Sequence, residues 1–117
     1  MYGQRIYYTC REPDVDHRVE HQRVRFVWNT QKADRNLRAH GVSFEEALTV
    51  FSDPLARIFD DEDHSSNEEQ REIIIGHSTQ QRLLLVCFTA RGTAIRLFSA
   101  RRATKKERQD YEESINS

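Results

Sequence analysis

Three arginines stand at points of the chain from which they could share one site. Arg71 begins one predicted strand, and Arg101 and Arg102 end another strand two places further on. In an antiparallel meander these two points can lie at the same edge of the sheet, so their guanidinium groups could converge. Converging guanidinium groups suit RNA cleavage, because they offset the charge that develops on the phosphate oxygens while the 2′-hydroxyl attacks. That reaction needs no metal ion.

A second set of polar residues follows helical spacing. Lys32, Asn36 and His40 lie four residues apart, which places them on one stripe of a predicted helix. The stripe borders the face on which Ala33 and Leu37 are expected to point inward. Lys32 could add positive charge to the arginine site, or it could be an ordinary surface lysine.

Cleavage also benefits from a proton donor and a proton acceptor. By residue type, the nearest candidates are His40, Glu69 and Tyr111. A structural role is the alternative for two residues of the helical stripe, since Asn36 and His40 could bond loop backbone and lock two helices together.

Charge is unevenly distributed along the chain, although the net charge is only −1. Residues 60–69 contain six acids and no Lys or Arg, whereas residues 71–106 contain eight bases and one acid, an excess of seven positive charges. Such a segment could bind a phosphate backbone, and Arg91, Arg96 and Lys105 are its predicted substrate-binding residues. Alternatively, these bases are dispersed and pair with the acidic segment.

Two other clusters contain metal-binding residue types. The run Asp60-Asp61-Glu62-Asp63-His64 lacks the spacing of a calcium loop, and His17 and His21 lack the Glu of a zinc protease motif. We therefore predict no metal site and no cofactor.

Local signals define the secondary structure. Asn29 can cap a helix that Gly41 ends, Ser43 and Glu46 form a capping box, and Gly92 marks a tight turn. The predicted elements are a strand over 24–28, helices over 30–40 and 43–51, strands over 55–60, 72–77, 82–90 and 93–101, and a helix over 104–115. Structural roles are assigned to Trp28, Asn36, Gly41 and Ser43.

The length of 117 residues allows one hydrophobic core. We predict an N-terminal extension over 1–23, with a short edge strand around Tyr2, Ile6, Tyr7 and Tyr8, and a single domain over 24–117. No segment is long and apolar enough to span a membrane or to act as a signal peptide, and the two cysteines lack metal-ligand spacing. A cytoplasmic protein is expected.

Two predicted strands are continuously apolar. Residues 73–75 and 83–88 contain no polar residue other than Cys87, which indicates that both faces of the sheet centre are covered. The predicted helices cover one face, and the other is left for the N-terminal segment, the last helix or a partner protein.

A series of motifs occurs in one order over residues 24–113. They are Phe26-Val27-Trp28-Asn29 with Lys32, Asn36 and His40, Gly41-Val42-Ser43-Phe44-Glu45-Glu46-Ala47, Val50-Phe51, Asp53-Pro54, Glu69 with Arg71, Ile75-Gly76, Thr89 with Arg91-Gly92, Ile95-Arg96, Ser99-Ala100-Arg101-Arg102-Ala103-Thr104 and Tyr111-Glu112. This order resembles the BrnT toxin family. Asn29 departs from the usual Asp of the family, and Ala90 from a common Glu.

The resemblance implies a RelE-like α+β fold, RNA degradation and a separate antitoxin, BrnA, which carries a ribbon-helix-helix DNA-binding part. We therefore predict a helical hairpin packed on a four-stranded antiparallel meander with a C-terminal helix. The predicted function is a metal-independent endoribonuclease in a toxin–antitoxin pair. DNA would be bound only indirectly, through the antitoxin.

In this hypothesis Arg71, Arg101 and Arg102 hold the phosphate, Lys32 supports them, and His40 or Glu69 transfers protons. The alternative is a non-catalytic module that only binds the antitoxin and modulates operon repression.

Overall fold

The computed structural model describes residues 24–116 in full and residues 16–21 as backbone. The elements in chain order are β1 Asp16–His21, β2 Val24–Asn29, α1 Thr30–His40, α2 Phe44–Leu48, β3 Arg57–Asp60, β4 Glu72–His77, β5 Leu83–Arg91, β6 Ala94–Arg102 and α3 Lys105–Asn116. Short 3-10 turns cover Thr49–Ser52 and Glu62–His64. The predicted strand near Tyr2 lies outside the described residues.

The strands form one mixed sheet in the order β1-β2-β6-β5-β4-β3. Strands β3 to β6 are the predicted antiparallel meander, but β2 pairs parallel to β6, and β1 pairs antiparallel to β2. The predicted α+β class is confirmed, whereas the four-stranded antiparallel sheet is wrong. The reason is that α1 and α2 carry the chain across the sheet, so that β2 lies beside the last strand. Part of the predicted N-terminal extension is thus a strand of this sheet.

Capping residues define where the two helices of the hairpin, α1 and α2, begin and where α1 ends. The Asn29 side chain accepts from the Lys32 backbone N–H at 3.0 Å, and the Ser43 hydroxyl accepts from the Glu46 N–H at 3.0 Å. Gly41 ends α1 with φ of +69°, a conformation that favours glycine, and its N–H donates to the Leu37 carbonyl. The predicted second helix is α-helical only to Leu48 and ends in the 3-10 turn.

The two faces of the sheet have different cores. The hairpin face, which α1 and α2 cover, holds most of the buried apolar residues: Phe26, Trp28, Val42, Phe44, Ala47, Leu48, Val50, Ile74, Leu84, Val86, Phe88, Leu97 and Ala100. The α3 face, which α3 partly covers, holds a smaller cluster of Ile75, Leu83, Leu85 and Tyr111. Helices thus cover both faces of β5, as its continuous apolar run indicates.

Asn36 completes one edge of the central strand β6. Strand β2 pairs only with Ala94 to Arg96, so the next part of that edge has no strand beside it in the described chain. There the Asn36 side chain accepts from the Ala100 N–H at 3.1 Å and donates to the Ala100 carbonyl at 2.8 Å and to the Val42 carbonyl at 3.0 Å. Leu37, which was expected to point inward, is about half exposed.

A β-bulge in β6 displaces Phe98 from the ladder. Cys87 pairs with Ser99 and Phe88 with Leu97, so Phe98 has no partner across β5. Its ring lies towards α1, with its centre 5.9 Å from the Lys32 ammonium.

No helix of the described residues is long and apolar enough to cross a membrane.

Candidate active site

A cleft of about 460 Å³ opens on the α3 face of the sheet, between α1, the segment after β3, and strands β4 to β6. Its lining includes three cations, Lys32, Arg71 and Arg101. The remaining lining residues are Asp61, Asp63, His64, Ile73, Leu85, Cys87, Phe98 and Ser99. An apolar floor, an aromatic ring and both kinds of charge therefore meet in one depression.

Phe98 positions two of the three cations. The Arg71 guanidinium carbon lies 3.8 Å from the centre of the Phe98 ring, and the Lys32 ammonium lies 5.9 Å from it. Cation–π attraction at these distances favours a fixed guanidinium plane. The Arg71 Nε also donates to Glu69 at 3.1 Å, so one edge of the guanidinium is anchored outside the cleft.

Arg101 is held by the first turn of α3. Its two terminal nitrogens donate to the two oxygens of Glu107, each at 2.8 Å. Glu107 in turn bonds the Thr104 N–H at 2.8 Å, and the Thr104 hydroxyl accepts from the Glu107 N–H at 3.1 Å. The hydrogen bond from Arg101 is the main reason that the pKa of Glu107 is lowered to about 2. These reciprocal bonds form a capping box at the start of α3, which thus also positions a cleft cation.

The structure does not bring Arg102 into the cleft. Consecutive residues of a strand point to opposite faces, so Arg102 is exposed on the hairpin side. There the hydrogen bond from Arg82 is the main reason that the pKa of Glu46 is lowered, and the charge of Arg102 lowers it further. The predicted substrate-binding residues also lie outside the cleft lining. Arg91 is exposed and pairs with Glu69 at 2.7 Å, Lys105 is exposed in the first turn of α3, and Arg96 lies beside β2.

The predicted proton-transfer residues lie at the margin of the site or away from it. His40 is exposed at the end of α1 and lines a shallow depression that shares Lys32 and Phe98 with the cleft. Glu69 bridges Arg71 and Arg91, and the hydrogen bond from Arg71 is the main reason that its pKa is lowered. Tyr111 is buried on the side of α3 that packs on the sheet, and burial raises the pKa of its hydroxyl.

Three cleft residues were missed by sequence reasoning for the site: Asp61, His64 and Phe98. Asp61 is buried, and both its carboxylate oxygens lie about 3 Å from the His64 Nδ1. Burial raises the pKa of Asp61, but the hydrogen bonds from His64 and Cys87 lower it further, so that it stays below its usual value. The sequence showed these residues only as part of an acidic run, and nothing in it marked the bulge at Phe98.

The predicted structural residues are packed or capped as described. Trp28 is fully buried and makes an edge-to-face contact with Phe44 at 5.8 Å between ring centres.

Cys87 lies on the floor of the cleft, where burial raises the pKa of its thiol to about 12. Among the residues that the structure describes, no three His, Cys, Asp or Glu side chains are grouped to hold a metal ion.

A family model described as "Ribonuclease toxin, BrnT, of type II toxin-antitoxin system" matches residues 28–107 of the chain. The chain belongs to the BrnT toxin family. The matched range contains Lys32, Arg71, Arg101 and Glu107, so the cleft is part of the BrnT domain. The resemblance read from the motifs is confirmed, and BrnT proteins are ribonuclease toxins of type II toxin–antitoxin systems.

A crystal structure of the Brucella abortus ribonuclease toxin, BrnT, is similar to this BrnT chain. The two are 23% identical, the match covers 67% of this chain and 94% of that one, and the TM-score is 0.51. At this identity the likeness supports the fold alone. No curated protein matches the chain.

Proposed function

We propose that this BrnT toxin cleaves RNA by attack of a ribose 2′-hydroxyl on the adjacent phosphorus, without a divalent metal ion. Lys32, Arg71 and Arg101 hold the scissile phosphate. The observation that supports this most directly is that three cations from α1, the start of β4 and the end of β6 line one cleft.

The hydrogen bonds of Arg101 to the protein leave some of its N–H groups to bind an anion. A guanidinium has five N–H groups, and the terminal nitrogens of Arg101 make three bonds within the described chain, two to Glu107 and one to its neighbour's carbonyl. The Nε–H and one terminal N–H are left to bond a phosphate oxygen. Because Glu107 fixes the plane of the group, little reorganisation is needed when charge develops on the phosphate.

The same charges support the proposal that no metal ion is needed. Three positive groups at one phosphate supply the electrostatic stabilisation that a divalent ion supplies in metal-dependent nucleases. The Phe98 ring adds a surface beside them, since aromatic rings commonly contact the bases of single-stranded RNA.

The test is cleavage of RNA by the purified chain in the presence of EDTA. Arg101→Ala is expected to lower the rate about 100-fold, the usual cost of one charge-stabilising donor. Arg102→Ala is the matched control, because the neighbouring arginine points to the other face, and it should stay close to the wild-type rate. Equal losses in both variants, or cleavage only after Mg²⁺ is added, would contradict the proposal. If free RNA survives the wild type, the proposal fails for free RNA.

The partner within this proposal is a BrnA-type antitoxin with a ribbon-helix-helix DNA-binding part, so that DNA contact is indirect. The pair is expected to act in the cytoplasm, and the RelE-like kinship of the fold remains part of the proposal. A supporting feature is the groove of about 580 Å³ between β3 and α3, where Ile58 and Phe59 are about half exposed. It shares Arg101 with the cleft, so a chain bound there would reach the active site.

Co-expression with the neighbouring antitoxin gene tests the partner. Ile58→Asp should prevent co-purification of the antitoxin, while Leu37→Asp, an equally exposed apolar position on α1, should not. Loss of binding in both variants would show that the groove is not the contact.

A further inference from the structure

His64 and Asp61 form a hydrogen-bonded pair in the wall of the cleft. The His64 Nδ1 lies 2.9 and 3.0 Å from the two carboxylate oxygens of Asp61. The Asp61 side chain is 9% exposed, whereas the His64 side chain is 65% exposed. A buried carboxylate therefore holds an imidazole that remains open to a large substrate.

The segment that carries the pair is tied to the start of β4. The Asp61 N–H donates to the Arg71 carbonyl at 2.8 Å, and the Arg71 N–H donates to the Ser65 hydroxyl at 2.9 Å. The Ser65 hydroxyl donates to the Asp61 carbonyl at 2.8 Å. The Cys87 thiol contacts the Asp61 carboxylate at 3.3 Å from the floor of the cleft. The position of the imidazole is thus set relative to the Arg71 backbone.

Among the described residues that line the cleft, His64 alone is of a type that exchanges a proton near neutral pH. As residue types, lysine, arginine and aspartate have ordinary pKa values far from neutral pH. Burial raises the pKa of the Cys87 thiol to about 12, so it is a poor donor as well.

We propose that His64 is the general acid of RNA cleavage and that Asp61 is its positioning residue. This inference rests on the proposed ribonuclease function and adds to it the residue that protonates the leaving group. Because Asp61 accepts from Nδ1, the other ring nitrogen, Nε2, is the one left to meet the substrate. The Asp61 carboxylate also fixes the orientation of the ring, which a general acid requires.

Cleavage exchanges one phosphorus–oxygen bond for another. A bond forms between the 2′-oxygen and phosphorus, the bond between phosphorus and the 5′-oxygen breaks, and its electron pair stays on the 5′-oxygen. The proton on His64 Nε2 passes to that oxygen, and the proton of the 2′-hydroxyl passes to water. The products are a 2′,3′-cyclic phosphate and a free 5′-hydroxyl, and His64 regains a proton from water.

The decisive experiment compares two substrates. One is RNA, and the other is uridine 3′-(4-nitrophenyl phosphate), whose leaving group departs without a proton. His64→Ala should lower the cleavage of RNA about 100-fold, the usual contribution of a general acid, and should leave cleavage of the nitrophenyl ester near the wild-type rate. Equal losses on both substrates would show a binding role and would overturn the proposal, as would full activity on RNA.

Arg101→Ala separates this inference from the proposed function. It should impair both substrates, because the phosphate is common to them. If Arg101→Ala is impaired but His64→Ala is fully active, the phosphate site stands and the general acid is wrong. If the wild type cleaves neither substrate, both proposals fail together.

Asp61→Asn tests the positioning role with the same two substrates. Without the carboxylate that holds Nδ1, the imidazole is no longer fixed towards the leaving group. Cleavage of RNA should therefore fall, by a smaller factor than in His64→Ala, while cleavage of the nitrophenyl ester should stay near the wild-type rate. Glu62→Gln, in the same turn but outside the cleft lining, is the matched control and should leave both rates unchanged. Equal losses of Asp61→Asn on both substrates, or full activity on RNA, would contradict the role of Asp61.

Discussion

Two arginine–glutamate pairs lie on opposite sides of the sheet and differ in how far water reaches them. On the hairpin side Arg82 forks onto Glu46, whose side chain is 2% exposed. On the α3 side Arg101 forks onto Glu107, and these side chains are 41% and 29% exposed. Both pairs are bidentate, but Arg82 uses its Nε and one terminal nitrogen, whereas Arg101 uses its two terminal nitrogens. The first pair is a buried support, and the second holds a cation of the cleft.

The surroundings of the pairs explain the difference. Glu46 also accepts from the Ser78 hydroxyl at 2.6 Å, and Arg82 also donates to the Gly41 carbonyl at 3.0 Å, so the buried pair joins α2, the end of α1 and the start of β5. The Arg101 pair joins only the end of β6 to the first turn of α3. The pair on the hairpin side thus holds the fold together, and the pair on the α3 side presents a positive charge to the cleft.

The largest effect on stability is expected for Arg82→Ala. It leaves the buried carboxylate of Glu46 without its counter-charge, which typically costs about 3–5 kcal/mol. The measurement is the free energy of unfolding in urea. Arg101→Ala is the comparison and should cost less than about 1 kcal/mol, as half-exposed pairs do. Similar losses in the two variants would break the contrast between the two sides.

Asn36→Ala should come second, with a loss of about 2–3 kcal/mol. It removes three hydrogen bonds to buried backbone and leaves part of the β6 edge unsatisfied. Asn67→Ala, at an exposed loop position, should change the unfolding free energy by less than about 0.5 kcal/mol. A small effect of Asn36→Ala would show that water replaces the side chain at that edge.

Gly76→Ala should cost about 1–2 kcal/mol, because overpacking a tight site is destabilising. An added Cβ would lie 2.9 Å from the Ala56 Cβ and 3.1 Å from a methyl carbon of Val50. Ser99→Ala, at an exposed position on β6, is the control and should be nearly neutral. Thermal unfolding of both variants measures the difference. Equal melting temperatures would show that Ala56 and Val50 can move to accommodate the added methyl group.

The smallest effect is the pH dependence of the exposed pair. The pKa of Glu107 in the folded state is about 2, below the value of roughly 4.3 for an unfolded chain. The pair therefore stabilises the fold fully above pH ~4.3, and this contribution is lost as pH falls through about 2. Glu107→Gln should flatten the stability profile in that range. An unchanged acid slope would show that Glu107 contributes nothing to it.

Local signals predicted the elements well because each one is carried by a few neighbouring residues. Asn29 and Ser43 cap the two helices, Gly41 separates them, and Gly92 makes the turn between β5 and β6. Strand β4 coincides with its predicted range. The number of strands in the sheet was underestimated because the parallel pairing of β2 with β6 joins residues about seventy positions apart. No local pattern specifies such a pairing.

The site was predicted only in part for a similar reason. Arg71 and Arg101 meet because β4 and β6 flank β5, which the meander implied. Alternation along a strand allows only one of Arg101 and Arg102 to face the cleft, and the choice depends on register. The bulge that displaces Phe98 and the turn that joins Asp61 to His64 depend on three-dimensional packing, which residue spacing does not show.

The central position of β6 has a consequence for synthesis of the protein. Residues 94–102 are synthesised after all the other strands of the sheet, so they can enter between β2 and β5 only late in synthesis of the described residues. A nascent chain that stops earlier lacks the middle of the sheet and Arg101. Abortive translation products of this kind are therefore expected to lack both a stable scaffold and the proposed ribonuclease activity.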